Sequence, residues 1–146
     1  MVDRHRMTLT GVVLDAPDAS ALAHFYARLL GWQMFDEDER WATVAPTADT
    51  GYYLGFQTEE RYARPVWPPV EGEPQMSMHL DIEVDDLDEA VAFALDVGAE
   101  LAAFQPHEQV RVLLDPAGHP FCIGWGQPSR EVLAAFVRDR FGEARG

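Results

Sequence analysis

The amino-acid sequence predicts an α+β fold built from two β-α-β-β-β modules. A β-branched, apolar stretch runs into a helix-start signal twice, first at Thr8–Asp18 and again at Met78–Asp86. Each helical pattern is followed by three short strand candidates that are separated by turn signals. Repetition of one small unit within 146 residues indicates that both modules belong to a single domain, residues 1–146.

The first module is predicted at about residues 8–57. Its first strand covers Thr8–Leu14, and Asp18 follows as an N-cap whose carboxylate accepts from free helix amides. The apolar face of the helix recurs at helical spacing and consists of Leu22, Phe25, Tyr26, Leu29 and Leu30. Gly31 is expected to end the helix in the left-handed conformation. The three following strands are predicted at Trp32–Phe35, Trp41–Ala45 and Tyr52–Gln57.

The second module is predicted at about residues 77–126 and repeats this order. Its first strand is Met78–Val84, and Asp86 with Glu89 forms a capping-box pattern before a helix that ends at Gly98. The remaining strands are predicted at Glu100–Phe104, Val110–Leu114 and Pro120–Trp125. The stretch Asp115–Gly118 has Pro and Gly at the positions that a β-turn favours. A shift of 68 residues places Gly11 on His79, and after the helices the shift is 67.

Two segments lie outside the modules. The connector, residues 58–76, is rich in proline and has no periodicity, as is common for a lid or a linker. Trp67 in this connector is too apolar to remain in water, so we expect it to pack against the body of the protein. Ser129 is expected to cap a C-terminal helix at about residues 129–141, whose apolar face packs on the body or on a second subunit.

Composition excludes several classes of function. The net charge of −14 disfavours nucleic acid and anionic membrane surfaces as partners. The chain has no lysine, which excludes Schiff-base catalysis and a P-loop. Its single cysteine fits a reducing compartment. Since we find neither a signal peptide nor a membrane-spanning run, we expect a cytoplasmic protein.

Several motifs together resemble the vicinal-oxygen-chelate superfamily, which includes glyoxalase I, bleomycin-resistance proteins and extradiol dioxygenases. These motifs are Asp18, Phe25-Tyr26, Leu30-Gly31-Trp32, His79-Leu80-Asp81 and Asp115-Pro116-Ala117-Gly118-His119-Pro120-Phe121-Cys122. The stretch Pro65-Val66-Trp67-Pro68 is similar to the glyoxalase-like branch. The resemblance implies a curved mixed sheet around a shared groove (the glyoxalase/bleomycin-resistance/dioxygenase fold) and a homodimer.

The resemblance also implies where metal ligands would lie. In metal-using relatives they come from the first and last strands of each module, which map here to Gly11, Gly55, His79 and Cys122. Glycine donates nothing to a cation, so we expect no metal and no other cofactor. His5, His24, His107 and Glu108 remain possible substitute ligands.

Strand geometry places His79, Asp81 and Glu83 on one face of the second module's first strand. We name His79 and Asp81 as candidate catalytic residues, a general base with an orienting carboxylate. The candidate ligand-binding residues are Trp41, Tyr53, Gln57, Trp67, His79, Asp81, Arg111 and Cys122. The alternatives are core packing for the aromatic residues, a solvated sheet face for the acids, and a small buried hydrophobe for Cys122.

The expected function is binding of a small organic molecule in a concave groove, without a metal. The alternative is an enzyme of the same superfamily: a lyase, isomerase or dioxygenase with an irregular metal site or with acid–base chemistry by His79 and Asp81. A third possibility is a purely structural or partner-binding module whose groove is filled by its own side chains or by the connector. Glyoxalase I activity itself is not expected, because neither carboxylate position of that chemistry is present.

Overall fold

The computed structural model describes residues 7–125, which form eight strands and two helices. The first module contains β1 (Gly11–Ala16), α1 (Ala19–Leu30), β2 (Gln33–Glu37), β3 (Trp41–Ala45) and β4 (Tyr53–Thr58). The second contains β5 (Leu80–Val84), α2 (Leu87–Asp96), β6 (Glu100–Leu101), β7 (Val110–Leu114) and β8 (Pro120–Trp125). The predicted helix at residues 129–141 and His5 lie outside the described residues. Within residues 7–125, neither helix is long and apolar enough to cross a membrane.

The two modules have the same topology. Each forms a four-stranded mixed sheet, in the order β1-β4-β3-β2 and β5-β8-β7-β6. In both sheets the first strand pairs in parallel with the last strand of its module, and the other pairs are antiparallel. The α+β fold class with two β-α-β-β-β modules is therefore confirmed.

The helix ends follow the local sequence signals. Asp18 accepts from the backbone N–H of Ala21 at 3.1 Å, and Asp86 accepts from that of Glu89 at 3.0 Å. Gly31 ends α1 with a φ of 68°, a left-handed conformation that glycine adopts without the steric cost of a side chain. Both N-caps and the first C-terminal signal were predicted from the sequence.

Strand lengths differ from the sequence prediction where tertiary contacts intervene. The strand predicted at Glu100–Phe104 is only Glu100–Leu101. The Gln105 amide replaces further strand pairing: its nitrogen donates to the carbonyls of Ala102 and Val112, and its oxygen accepts from the Val112 N–H, each at 2.8 Å. The predicted start of β1 at Thr8 was also wrong, because pairing with β4 begins at Gly11.

An aromatic core joins the two modules. Tyr26 of α1 stacks on Phe56 of the first sheet at 5.5 Å between ring centroids, and it meets Phe121 of the second sheet edge-on at 6.2 Å. Its hydroxyl donates to the buried Asp115 carboxylate at 2.7 Å. Burial, followed by the charge of Asp115, raises the pKa of Tyr26 well above its usual value, so the hydroxyl remains a donor.

The connector packs on the second module. Tyr62 donates from its hydroxyl to the Ala117 carbonyl at 2.6 Å, while Arg64 pairs with Glu100 at 3.6 Å. Burial and the nearby charge of Asp115 raise the pKa of Tyr62 to about 12. The connector is therefore anchored beside the turn at Asp115–Gly118, where the Gly118 N–H donates to the Asp115 carbonyl at 2.8 Å.

Replacing Tyr26 by phenylalanine should destabilise the protein by about 1–3 kcal/mol, because a buried carboxylate loses a hydrogen-bond donor. Chemical denaturation measures the change in the free energy of unfolding. Tyr52→Phe is the matched control, since Tyr52 is half exposed and its ring lies outside the buried core. Equal stability of the two variants would contradict the role assigned to the Tyr26 hydroxyl.

Candidate functional site

The face of the first sheet that points away from α1 has two glycines beneath aromatic rings. On β1 and β4 this face carries Gly11 and Gly55, and the opposite face carries core residues such as Phe56. A Cβ atom built at Gly11 would lie 2.7 Å from the ring of Tyr53. One built at Gly55 would lie 2.8 Å from the ring of Trp41. Real Cβ atoms do not approach a ring so closely, so each ring occupies space that any other residue would fill.

These two rings form the wall of an open cavity of about 460 Å³, which we call the aromatic cavity. Its lining residues are Thr10, Phe35, Asp36, Trp41, Thr43, Ala45, Thr47, Ala48, Gly51, Tyr52 and Tyr53. Gln57 lies on the same face of β4, where its amide nitrogen donates to Asp15 at 2.6 Å. Of the predicted binding residues in the first module, Trp41 and Tyr53 line the cavity together. Gln57 does not line it, and its side chain is hydrogen-bonded to Asp15 on β1.

The corresponding face of the second sheet forms a separate cavity of about 300 Å³, which we call the His79 cavity. Its lining residues are Trp67, Met76, His79, Asp81, Pro106, His107, Val110, Val112, Pro120 and Cys122. His79 Nε2 lies 3.2 Å from Asp81 Oδ1, with 41% of the His79 side chain and 72% of the Asp81 side chain exposed. At this distance the carboxylate can pair with a protonated imidazole, but the two groups form no hydrogen bond in this structure, so Asp81 lies beside His79 without fixing its orientation.

Cys122 and Trp67 complete the predicted set in the His79 cavity. Burial, and then the charge of Asp81, raises the pKa of the Cys122 thiol. A raised pKa keeps the thiol protonated at neutral pH, which is the reverse of what an activated nucleophile needs. The Trp67 indole N–H donates to the Phe104 carbonyl at 3.3 Å, and the two rings lie 6.1 Å apart.

Arg111 stands apart from the other candidates. Its cross-strand partner is Ile123, which is buried in the core, whereas Cys122 pairs with Val112. Arg111 and Cys122 therefore lie on opposite faces of the second sheet. Its guanidinium donates to the Glu108 carbonyl at 2.7 Å and so stabilises the loop before β7.

The two cavities have no lining residue in common among residues 7–125. The core between the modules explains this separation. Phe121, which contacts Phe25 and Tyr26 of α1, lies on the face of β8 opposite to Cys122. Phe56, which stacks on Tyr26, lies on the face of β4 opposite to Gly55. Both cavities therefore point away from the core that joins the modules. Sequence reasoning placed all the candidate residues in one shared groove. In the described chain Trp41 and Tyr53 line one cavity, four of the others line the second, and Gln57 and Arg111 line neither.

Comparison with known proteins decides the family. The sequence profile of the glyoxalase-like domain matches residues 11–124, which includes both modules. The chain belongs to the glyoxalase-like domain family. The vicinal-oxygen-chelate superfamily, suggested by the motifs, is thereby confirmed. No curated protein matches the chain.

Solved structures with this fold have names that cover several activities. A glyoxalase/bleomycin resistance protein/dioxygenase family enzyme from Burkholderia phytofirmans has a TM-score of 0.60 and 22% identity, over 82% of this chain and 98% of that chain. An antibiotic-binding protein from a Streptomyces species has a TM-score of 0.54 and 16% identity, over 86% of this chain and 100% of that one. Lactoylglutathione lyase from Agrobacterium tumefaciens has a TM-score of 0.53 and 16% identity, over 84% of this chain and 96% of that chain. At these identities the likeness shows the fold alone.

The glyoxalase-like chain does not fit the four-ligand metal site of its metal-using relatives. The strand register pairs Val13 with Gly55 and Asp81 with Cys122, so Gly55 and Cys122 occupy equivalent positions in the two modules. Gly11 and Gly55 supply no donor atom, and aromatic rings fill the space beside them. The ligand positions of the first module are therefore absent.

Three possible donors remain in the second module. The ligand atoms of His79, Asp81 and Cys122 lie within 4.8 Å of one another. Their number equals that of the protein ligands in an open zinc site, but the thiol would first have to lose a proton that burial and Asp81 hold in place. Among the described residues, His24, His107 and Glu108 are not part of this cluster.

Sequence reasoning missed nine of the eleven residues that line the aromatic cavity, among them Phe35, Asp36 and Tyr52. Phe35 and Asp36 lie where the pairing of β2 with β3 is irregular, between Met34 and Glu37, so strict alternation of faces does not apply to them. Tyr52 precedes the first residue of β4, and the pleat therefore does not set its direction. No local signal in the sequence identifies the irregular pairing, because the register shift between Met34 and Glu37 is set by how β2 pairs with β3.

The glycine beneath Trp41 can be tested by adding one methyl group. Gly55→Ala should cost about 1–3 kcal/mol and move the Trp41 ring, because a Cβ there overlaps the indole. Gly124→Ala is the matched strand control, since its Cβ would lie 3.5 Å from Val110, an ordinary contact. Chemical denaturation and the NMR signal of the Trp41 indole N–H measure the two effects. If the two variants show the same change in the free energy of unfolding and in the Trp41 signal, the Trp41 ring does not pack against Gly55.

Proposed function

We propose that this glyoxalase-like protein binds a small organic molecule with a flat aromatic or amphipathic body, and that it does so without a metal. The observation that carries this proposal is the position of the Tyr53 and Trp41 rings directly over Gly11 and Gly55. Where metal-using relatives place ligand atoms, this chain has an aromatic wall. Such a wall favours stacking with a planar molecule over coordination of a cation by oxygen or nitrogen.

The dimensions of the aromatic cavity support the proposal. Its volume of about 460 Å³ lies within the usual range for ligand sites, and it combines aromatic walls with a few hydroxyl groups. The antibiotic-binding protein from Streptomyces has the same fold, and its name supports small-molecule binding as a use of this architecture.

The metal-free part of the proposal rests on the ligand positions. Two are glycines, and the thiol at a third has a raised pKa. Elemental analysis of dialysed protein is therefore expected to give far less than one equivalent of zinc, iron or nickel. One equivalent that is retained by the wild type and lost in His79→Ala would end this part of the proposal.

We further propose that the protein works as a homodimer in the reducing cytoplasm, where its single cysteine stays a thiol. Two open cavities that face outward support a second copy as the element that covers them. Light scattering is expected to give twice the chain mass of 16.4 kDa, and a monomer at every concentration tested would contradict this proposal.

Binding at the aromatic cavity can be tested with a panel of planar compounds. Ligands should raise the melting temperature of the wild type, and Trp41→Ala should reduce that rise strongly because it removes the largest ring of the wall. Phe93→Ala is the control, since it removes an exposed ring on α2. Equal responses from both variants would place binding elsewhere.

The second candidate function is acid–base catalysis in the His79 cavity. The distance of 3.2 Å between His79 Nε2 and Asp81 Oδ1 favours it, because an imidazole with a carboxylate beside it can serve as a general base. A turnover screen on α-ketoaldehydes and catechols, with and without added metal, tests this candidate. His79→Gln should then lower kcat by about a hundredfold or more. Absence of turnover across the screen would leave binding as the function.

A further inference from the structure

The aromatic cavity carries one charged side chain among its described lining residues, and that charge is negative. Asp36 lies at the irregular pairing of β2 with β3, beside Phe35, and is exposed to solvent. The other lining residues are aromatic, small or hydroxyl-bearing. The cavity therefore combines several π-faces with a single carboxylate.

Thr43 fixes the position of Asp36. The Asp36 backbone N–H donates to Thr43 Oγ1 at 3.1 Å, and the Thr43 hydroxyl lies 3.4 Å from Asp36 Oδ2. No arginine or histidine within residues 7–125 forms an ion pair with Asp36. The carboxylate is thus held in place by neutral groups, and its charge is not neutralised by a partner in the described part of the chain.

The rings and the overall charge act in the same direction as this carboxylate. The faces of aromatic rings carry partial negative charge, so Trp41, Tyr52 and Tyr53 attract a cation placed over them. The net charge of −14 raises the local concentration of cations around the protein and repels anions. Every electrostatic contribution identified at this cavity favours a positively charged guest.

We propose that the ligand of the aromatic cavity is an organic cation, with a planar or compact apolar body that bears an ammonium or quaternary nitrogen. The body contacts the rings of Trp41 and Tyr53, and the cationic nitrogen lies on the side of Asp36. This inference rests on the proposed function and specifies its ligand class.

The experiment compares two probes of the same shape, phenyltrimethylammonium and tert-butylbenzene, which differ by one positive charge. NMR titration of the full-length protein gives the Kd of each probe from shifts of the Trp41 indole signal. We expect the cation to bind about tenfold more tightly than the neutral probe. Added salt should weaken binding of the cation and leave that of the neutral probe nearly unchanged, because Asp36 is exposed to screening.

Two charge-neutralising variants separate the local carboxylate from the general field. Asp36→Asn keeps the shape of the side chain and should reduce the preference for the cation by about three- to tenfold. Glu39→Gln removes the same charge three residues away, at a side chain that does not line the aromatic cavity, and should change the preference little.

The outcomes distinguish this inference from the proposed function. Equal binding of both probes to the wild type, with loss in Trp41→Ala of the rise in melting temperature that each gives, would overturn the preference for a cation and leave small-molecule binding standing. If neither probe shifts the Trp41 signal, with the cation at millimolar concentration and tert-butylbenzene at saturation, the result would count against both the inference and the proposed function. An equal loss of cation preference in Asp36→Asn and Glu39→Gln would replace the proposed contact with a general charge effect.

Discussion

The hydrogen bond between Tyr26 and Asp115 is the contact on which the arrangement of the two modules depends. A carboxylate that is 1% exposed needs polar partners, because burying an unpaired charge costs several kcal/mol. Asp115 takes one partner from α1 of the first module and others from its own turn, including the ring Nδ1 of His119 at 2.8 Å. One side chain thus shapes the turn before β8 and holds the first module against it, with the cavity-bearing faces turned outward.

The two modules have the same strand topology, but they carry different side chains at equivalent positions. Equivalent positions carry Gly11 and Gly55 in the first module and, in the second, Cys122 and His79, which directly precedes β5. Where the side chain is a hydrogen atom, a neighbouring ring can lie on the backbone and form a wall. Where it is an imidazole or a thiol, the cavity has potential donor atoms among lining residues that are mostly apolar. The same fold therefore presents an aromatic cavity on one sheet and a cavity that contains His79, Asp81 and Cys122 on the other.

Local signals predicted much of the fold. The caps at Asp18 and Asp86 and the β-turn that begins at Asp115 depend on residues within a few positions, so the sequence contains all the information that they need. The length of β6 could not be predicted in this way, because the Gln105 side chain bonds the carbonyl of Ala102, directly after β6, and that of Val112 on β7. The entry of Asp36 into the cavity likewise depends on irregular pairing with β3.

The sequence by itself determined the order of the elements, the family and the absence of donor atoms at Gly11 and Gly55, since these follow from residue identity and short spacing. Tertiary structure alone decided that Tyr53 and Trp41 cover those glycines, and that His79 comes within hydrogen-bond distance of Asp81. It also decided that six of the eight candidate residues line two separate cavities. The reason is physical: ring placement, side-chain rotamers and the docking of two modules are set by contacts between strands that are distant in the chain.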